Sequence, residues 1–211
     1  MTILGVIADR EQAWVWTDSE IYTDNKPKNM RPKMAANAAA TIVCVSCGWV
    51  SLGDEAEALV WRASDFDQLC DAMPGHLRRA TVKIAACWQP WRADQFTAQT
   101  ILLVGFSKRH DRVLSYVLCG SNFFEPALVS RLSIPSVDTF DTLKPKAPVD
   151  LLPGARVQMD HIRMSVPDAT GGDLVVALVR PGLVIAGPVA ELTPPPPPSN
   201  APLAPEQDPA E

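Results

Sequence analysis

A few residues near the start of the chain have the chemical types that nucleophilic catalysis requires. The sequence begins Met-Thr, and removal of Met1 would give Thr2 a free α-amino group beside its hydroxyl. An α-amine has a pKa of roughly 7.7–8.0, close to the value that a general base needs at neutral pH. Such an amine can activate the hydroxyl of its own residue, so the sequence allows Thr2 to act as a nucleophile.

Three further residues have the types that would assist this nucleophile. A nearby lysine favours the neutral amine and a developing alkoxide, a carboxylate can hold that lysine, and a backbone N–H near a glycine can bind an oxyanion. Asp18 ends the second predicted strand, Lys33 follows in a polar segment, and Gly48 ends the third predicted strand. If the first two strands are neighbours, Thr2 and Asp18 lie close together.

The same residues are also consistent with purely structural roles. Asp18 could cap a turn, Lys33 could lie at the surface, and Thr2 could be an ordinary strand residue behind a retained initiator methionine. Lys26 and Lys28 compete with Lys33 as the assisting lysine. The spacing alone leaves these alternatives open.

The hydrophobic pattern predicts the elements that would carry these residues. Short apolar or alternating runs bounded by turn residues are typical of strands. By this criterion, strands are expected over residues 2–8, 13–18, 41–47, 99–106, 112–119, 173–180 and 183–187.

Helices are expected between and after these strands. Ser51 is a plausible N-cap of a first helix with acidic residues in its first turn. A second helical region covers 66–94 and restarts at Pro74, a short helix follows the turn at Gly120, and a weaker one covers 155–164. The order of elements predicts an α+β fold in which two antiparallel sheets pack together with helices outside them.

Length and composition predict one folded domain and a tail. A chain of 211 residues suits a single domain with a full core. We expect the domain to cover residues 1–192, because residues 193–211 are rich in proline and cannot build a core. Such a tail is either a plain solvated segment, a spacer or a ligand for a proline-recognising partner.

Net charge and hydropathy restrict the expected partners and the expected location of the protein. A formal net charge of −5 argues against general nucleic-acid binding, since there is no basic excess to displace counterions. No apolar run approaches the ~18–20 residues of a membrane span. Asp9 and Arg10 interrupt the first apolar run too early for a signal peptide. We therefore expect a cytoplasmic protein that binds neither membrane nor nucleic acid.

No residue pattern calls for a metal or a cofactor. Cys44 and Cys47 form a C-x-x-C, but they lie on a predicted strand, where residues i and i+3 face opposite sides. The chain has three histidines without the spacing of a metal site, and no phosphate-binding glycine motif. Catalysis, if present, is expected to use amino-acid side chains alone.

Several segments resemble a known family of proteases. "TILGVIADREQAWVWTDSE" is similar to the opening of proteasome β-type subunits, with a threonine, a strand, a turn, a second strand and an aspartate. "TIVCVSCGWVSLGDEAEAL" resembles the strand–glycine–helix junction of that family. "GHLRRATVKIAACWQPWRADQF" resembles the second-helix region of the bacterial HslV-type subunit.

The likeness continues in the second half of the chain. "QTILLVGFSKRHDRVLSYVLCGSNFFEPAL" follows the strand–turn–strand and Gly-Ser turn of the family. "PDATGGDLVVALV" resembles its late Asp-x-x-Ser-Gly-Gly turn, with Thr170 where serine is usual. Residues 2–132 and 160–187 carry the resemblance.

The resemblance implies a fold and a catalytic set. The fold would be the four-layer αββα sandwich of the N-terminal nucleophile (Ntn) hydrolases. Thr2 would be the nucleophile and provide the base, Asp18 would orient Lys33, and the N–H of Gly48 would bind the oxyanion. Three more residues would support the terminal amine through hydrogen bonds: Ser121, Asp168 and Thr170.

The family also implies partners and an activity. A threonine-type peptidase of this kind cleaves amide bonds of polypeptides through a threonyl ester, and its subunits assemble into rings around an inner chamber. No ATPase motif is present, so any unfoldase would be a separate partner. The alternative hypothesis is an inactive structural or assembly protein of the same fold, for example in a phage- or prophage-encoded particle, whose proline-rich tail contacts a partner.

Overall fold

The computed structural model describes residues 2–23, 26–31, 33–87 and 98–193, without the side chains of 21–23 and 26–29. The strands in these segments are β1 (Leu4–Ala8), β2 (Ala13–Asp18), β3 (Glu20–Thr23), β4 (Lys26–Met30), β5 (Met34–Asn37), β6 (Ile42–Cys47), β7 (Thr100–Ser107), β8 (Arg112–Cys119), β9 (Pro126–Leu128), β10 (Arg131–Ile134), β11 (Asp173–Arg180) and β12 (Leu183–Glu191).

Helices are placed between and after the strands. The α-helices are α1 (Val50–Arg62), α2 (Phe66–Cys87) and α3 (Leu152–Arg163), and short 3-10 turns cover Gly120–Asn122, Asp138–Phe140 and Pro148–Leu151. Among the described helices, none combines the length and apolarity that are needed to cross a bilayer.

The strands form two antiparallel five-stranded sheets and one hairpin. The first sheet has the order β10-β1-β2-β11-β12, the second has the order β5-β6-β7-β8-β9, and β3 pairs with β4. In the first sheet, Leu4 lies opposite Thr17, while Leu174 lies opposite Asp18. The protein is therefore α+β with two antiparallel sheets, as the sequence predicted.

Alternate residues of the central strands enter different apolar clusters. Along β2, Val15 belongs to a cluster that contains residues of both sheets, whereas Trp16 belongs to a cluster with residues of α3. Along β6, Val43 belongs to the cluster of both sheets, whereas Cys44 packs with residues of α1 and α2. This period of two explains why nearly every residue of these strands is apolar, since both faces are buried.

The predicted strands are confirmed with small shifts of their ends. The largest shift is in β12, which continues to Glu191. The weak helix expected over 155–164 is present as α3 and begins earlier, at Leu152. The core extends to Leu192, which is fully buried and donates its N–H to the carbonyl of Gly172 at 2.8 Å. The tail from residue 194 onward lies outside the described residues.

The predicted N-cap of the first helix is wrong. Helix α1 begins at Val50, so Ser51 lies inside its first turn, and the N-cap residue is Trp49, which makes no side-chain capping bond. The Trp49 N–H donates instead to the side chain of Gln99. The start of the helix is therefore set by a tertiary contact rather than by a local cap.

The predicted restart of the second helix at Pro74 is also wrong. Helix α2 runs without interruption from Phe66 to Cys87, with Pro74 in its interior. Pro74 is buried together with Met73 and Leu77, and tertiary packing of this face outweighs the local cost of a proline. The remainder of the prediction, residues 88–94, lies outside the described residues.

The short helix expected after Gly120 is absent from the described structure. A single 3-10 turn over Gly120–Asn122 is followed by β9 and β10. Phe123 and Phe124 have φ angles of 57° and 60°, a left-handed conformation that cannot continue a right-handed helix. Local composition gave no sign of these angles, because phenylalanine rarely adopts them.

We expect Gly5→Ala to destabilise the protein, because Trp16 packs directly over Gly5. A Cβ on Gly5 would lie 2.1 Å from the Trp16 ring. The ring is held by Phe140, at a centroid distance of 4.4 Å, and by a 2.9 Å bond from Nε1 to Gln158 Oε1. The free energy of unfolding should fall by about 1–3 kcal/mol, measured by denaturant unfolding.

The matched control is Gly187→Ala in β12, where an added Cβ would meet nothing within 4 Å. This variant should change the free energy of unfolding by about 0.5 kcal/mol or less. Equal effects of the two substitutions would contradict the packing described for Trp16.

Candidate active site

Three of the predicted site residues are in direct contact at one end of the two sheets. Lys33 Nζ donates a hydrogen bond of 2.8 Å to Thr2 Oγ1 and one of 2.6 Å to Asp18 Oδ2. All three side chains are buried, with exposed fractions of 6% for Thr2, 0% for Asp18 and 7% for Lys33. The lysine therefore joins a hydroxyl to a carboxylate in a largely water-free setting.

The first two strands fix the position of Thr2. Asp18 Oδ1 accepts the N–H of Ile3 at 3.0 Å, and Thr17 Oγ1 donates to the carbonyl of Ile3 at 2.9 Å. Both backbone groups of Ile3 are thus held by side chains at the end of β2. Because Ile3 follows Thr2 directly, these bonds hold the nucleophile candidate against the carboxylate.

The second sheet supplies the lysine. Lys33 directly precedes β5, and its carbonyl accepts the N–H of Ser46 at 3.3 Å, which continues the pairing of β5 with β6. The site therefore contains residues from both sheets. The side chains of the alternative lysines, Lys26 and Lys28, lie outside the described part of the chain. Met1 also lies outside the described residues.

Burial and the lysine act in opposite directions on the carboxyl of Asp18. Burial, the larger effect, raises the pKa of Asp18 above its ordinary value. The charge and hydrogen bond of Lys33, and the N–H of Ile3, lower that pKa and oppose the effect of burial. The ionised carboxylate thus depends on Lys33 for its stabilisation.

A thiol lies beside this group. Burial raises the pKa of the Cys47 thiol, while the charge of Lys33 and a hydrogen bond with the Thr2 side chain oppose the rise. Burial thus disfavours the thiolate, which is the reactive form of a cysteine. Cys44 belongs to the cluster with α1 and α2, on the other face of β6, where burial raises its pKa to about 12.

Gly48 occupies a position that no other residue fits without strain. Its φ angle is +119°, and a Cβ at this position would lie 2.5 Å from Gln99 Oε1. Gly48 follows Cys47, whose thiol contacts Thr2, so its backbone lies one residue from the contact at the nucleophile candidate. The role of its N–H as the oxyanion donor stays a prediction.

The other predicted residues lie in turns. Ser121 is exposed in the 3-10 turn over Gly120–Asn122, and Asp168 and Thr170 are exposed in the segment before β11. Within the described residues, no hydrogen bond joins any of these three side chains to Thr2. Their proposed support of the terminal amine stays a prediction.

Glu20 is a buried residue that no sequence pattern indicates as part of the site. Its Oε2 accepts the N–H groups of Thr170 and Gly171 at 2.9 and 2.6 Å. The neighbouring Ser19 accepts the N–H of Asp173 through its Oγ at 2.9 Å. The turn that contains Thr170 is thus attached to the residues that directly follow Asp18.

Gln99 and Cys47 were also missed as parts of this region. Gln99 precedes β7 and contacts the turn at Gly48, whereas Cys47 ends β6. The alternation of side chains along the strand places Cys47 on the face opposite Cys44. No local signal indicates Gln99, since its contact at Trp49 spans fifty positions of the chain.

The described side chains do not form a metal site. Within the described residues, no group of three or more histidine, cysteine, aspartate or glutamate side chains is placed to hold a metal ion. The described site contains a hydroxyl, an ammonium group, a carboxylate, a thiol and backbone N–H groups.

Comparisons with known proteins do not identify a family. No protein-family model matches the chain, and no curated protein matches its sequence at a significant level.

Lys33→Met should destabilise the protein in a pH-dependent way, because it removes the partner of a buried carboxylate. Without Lys33, the pKa of Asp18 in the folded state rises further. An unfolded aspartate titrates at about pH 3.9. Stability of the variant therefore falls as pH rises above that value, since the unfolded state releases a proton that the folded state retains. The loss should reach about 3–5 kcal/mol near neutral pH.

Denaturant unfolding of the variant and the wild type at an acidic and a neutral pH measures this difference. Lys83→Met removes an exposed lysine of α2 and is the control, for which we expect little change at either pH. A destabilisation by Lys33→Met that is equal at both pH values would contradict the dependence of Asp18 on Lys33.

Proposed function

We propose that the protein is a threonine-type peptidase of the Ntn-hydrolase class, similar to proteasome β and HslV subunits, with Thr2 as its nucleophile after removal of Met1. The observation that carries the proposal is the buried chain of hydrogen bonds from Asp18 through Lys33 to Thr2 Oγ1. A buried lysine–carboxylate pair costs desolvation energy. Because the lysine of this pair donates to the Thr2 hydroxyl, a catalytic role would account for that cost.

The first step of the reaction is attack by Thr2 Oγ1 on a peptide carbonyl carbon, as the α-amine of Thr2 takes the hydroxyl proton. The Lys33 ammonium group donates to Oγ1 and stabilises the negative charge that develops there. Asp18 holds the ammonium group in place through the 2.6 Å ion pair. Lys33 in this ion pair acts as a charge and a donor, so the α-amine is the proton acceptor.

The tetrahedral intermediate carries its negative charge on the former carbonyl oxygen, and we assign the N–H of Gly48 as its donor. Collapse breaks the C–N bond, and the leaving amine takes the proton from the α-ammonium group. The product is a threonyl ester. Water then attacks the ester and gives a proton to the same amine. The bond between the acyl carbon and Oγ1 breaks, Oγ1 takes that proton from the α-ammonium group, and the acid product leaves.

Packing supports the αββα layering of this class. One apolar cluster contains residues of both sheets, a second contains residues of α1 and α2 with the second sheet, and a third contains residues of α3 with the first sheet. Such clusters are those expected of two stacked sheets with helices on the outer faces.

The resemblance extends the proposal to the surroundings of the enzyme. We infer that the subunits assemble into rings in the cytoplasm, with the sites facing an inner chamber, and that polypeptides enter with the help of a separate ATPase unfoldase. No membrane or nucleic-acid partner forms part of this proposal, in keeping with the net charge of −5.

The proposal predicts that the mature protein lacks Met1 and is acylated at Thr2 by a peptide β-lactone. Attack by Oγ1 opens the lactone ring and forms an ester bond to Thr2, as a peptide substrate would. The full mass of the probe is added to the protein. Intact-mass spectrometry and peptide mapping measure both features. Thr2→Ala should abolish the labelling, whereas Thr139→Ala, at an exposed threonine in the 3-10 turn Asp138–Phe140, should not affect it.

Retention of Met1 in the assembled protein would contradict the proposal, because the α-amine would then be part of a peptide bond. That outcome, or a wild type without Met1 that no β-lactone labels, would favour the structural or assembly protein. The exposed positions of Ser121 and Asp168, away from hydrogen bonds to Thr2, are the observation in favour of this second candidate.

A further prediction concerns the role of the lysine. Lys33→Ala should slow β-lactone labelling by about 10²-fold or more, because the developing alkoxide loses its charged donor. Cys47→Ser should keep most of the reactivity, since burial disfavours the thiolate and serine retains a small polar side chain at this position. Full labelling of a folded Lys33→Ala variant would move the role to Lys26 or Lys28.

A further inference from the structure

A fully buried amide lies beside the glycine that we assign as the oxyanion donor. Gln99 has an exposed fraction of 0% and directly precedes β7. Its Oε1 accepts the N–H of Trp49 at 2.6 Å, and the same oxygen lies 2.5 Å from the place where a Cβ of Gly48 would be. The amide thus packs against the Gly48–Trp49 peptide and bonds to it.

Both flanks of Gly48 are held by the consecutive residues Gln99 and Thr100, where β7 begins. On one side, Cys47 pairs with Thr100 at the start of β7. On the other side, Trp49 is bonded to Gln99. With both neighbours fixed, Gly48 holds the φ angle of +119°, and this angle determines the direction of its N–H group relative to the rest of the turn.

The backbone of the same residue reaches a second predicted part of the site. The carbonyl of Gln99 accepts the N–H of Gly120 at 2.9 Å. Gln99 therefore contacts both the turn that contains Gly48 and the turn that contains Ser121. Side chain and backbone of this one residue join two segments that are distant in sequence.

The amide head of Gln99 is not the group that packing alone would favour. Its Nε2 is buried and has no hydrogen-bond partner within the described residues. A buried donor without a partner is unfavourable, and an apolar side chain of similar length would avoid that cost. Among the described residues, the one hydrogen bond of the Gln99 amide goes to the N–H of Trp49, so the polar group serves the turn at Gly48.

We propose that Gln99 is a positioning residue that fixes the Gly48 turn for oxyanion binding. This inference rests on the proposed function. Gln99 does not touch the reacting atoms; it acts through Trp49 and Gly48. Its removal should therefore impair reactions that develop an oxyanion at the carbonyl and spare reactions of Thr2 that develop none.

Two electrophiles separate these cases in the full-length, assembled protein. A peptide β-lactone is attacked at a carbonyl carbon, so negative charge develops on the carbonyl oxygen. A peptide vinyl sulfone is attacked at a carbon–carbon double bond: the oxygen–carbon bond forms, the electron pair moves to the carbon beside the sulfone, and that carbon then takes a proton. Labelling rates at Thr2 with each probe are measured by intact-mass spectrometry.

Gln99→Met should slow β-lactone labelling by about 10- to 100-fold, because the oxyanion donor is no longer held in position. The labelling rate of Gln99→Met with the vinyl sulfone should stay within about threefold of the wild-type rate, since no carbonyl oxyanion forms in that reaction. Gln99→Asn, which is one methylene too short to reach Trp49, should show the same selective loss and serves if Gln99→Met does not fold.

The matched control is Gln158→Met, at a second fully buried glutamine, which bonds Trp16 and the carbonyl of Pro135. This variant should keep the wild-type ratio of the two labelling rates. An equal loss with both probes, or no loss, in folded Gln99 variants would overturn the positioning role while leaving the proposed function intact. A wild type that reacts with neither probe would overturn both.

Discussion

The buried ion pair between Lys33 and Asp18 is the interaction on which the rest of the site depends. It joins the second sheet, through the residue before β5, to the end of β2 in the first sheet. The carboxylate also accepts the N–H of Ile3, so one side chain positions both the lysine and the residue that links Thr2 to β1. Neither partner is stable alone as a buried charge.

The ion pair lies where the end of β2 in the first sheet meets the start of β5 in the second sheet. The cluster shared by both sheets contains alternate residues of β1, β2, β6 and β7. Asp18, the last residue of β2, carries the carboxylate of the ion pair. Thr2, whose hydroxyl accepts a hydrogen bond from Lys33, is only 6% exposed. A site with so little water strengthens each electrostatic contact in it.

Strand periodicity was sufficient to predict the two sheets and the meeting of Thr2 with Asp18, because adjacent strands in a hairpin have a register that follows from a short turn. It could not predict Gln99 or Glu20, whose partners lie far away in the sequence and are chosen by tertiary packing. The prediction of a helix after Gly120 was wrong because Phe123 and Phe124 adopt left-handed φ angles, which the amino-acid composition does not reveal. Ser121 and Asp168 were placed by resemblance, and the described contacts do not join them to Thr2.

A crystal structure with a peptide boronic acid would test the central claim most directly, since boron forms a tetrahedral adduct that mimics the acyl-transfer intermediate. The account predicts a covalent bond from boron to Thr2 Oγ1, a free Thr2 amine, and one boronate oxygen at roughly 3 Å from the Gly48 nitrogen, with the Lys33–Asp18 ion pair retained. Boron bound at another side chain, or Met1 still attached to Thr2 in the complex, would contradict it.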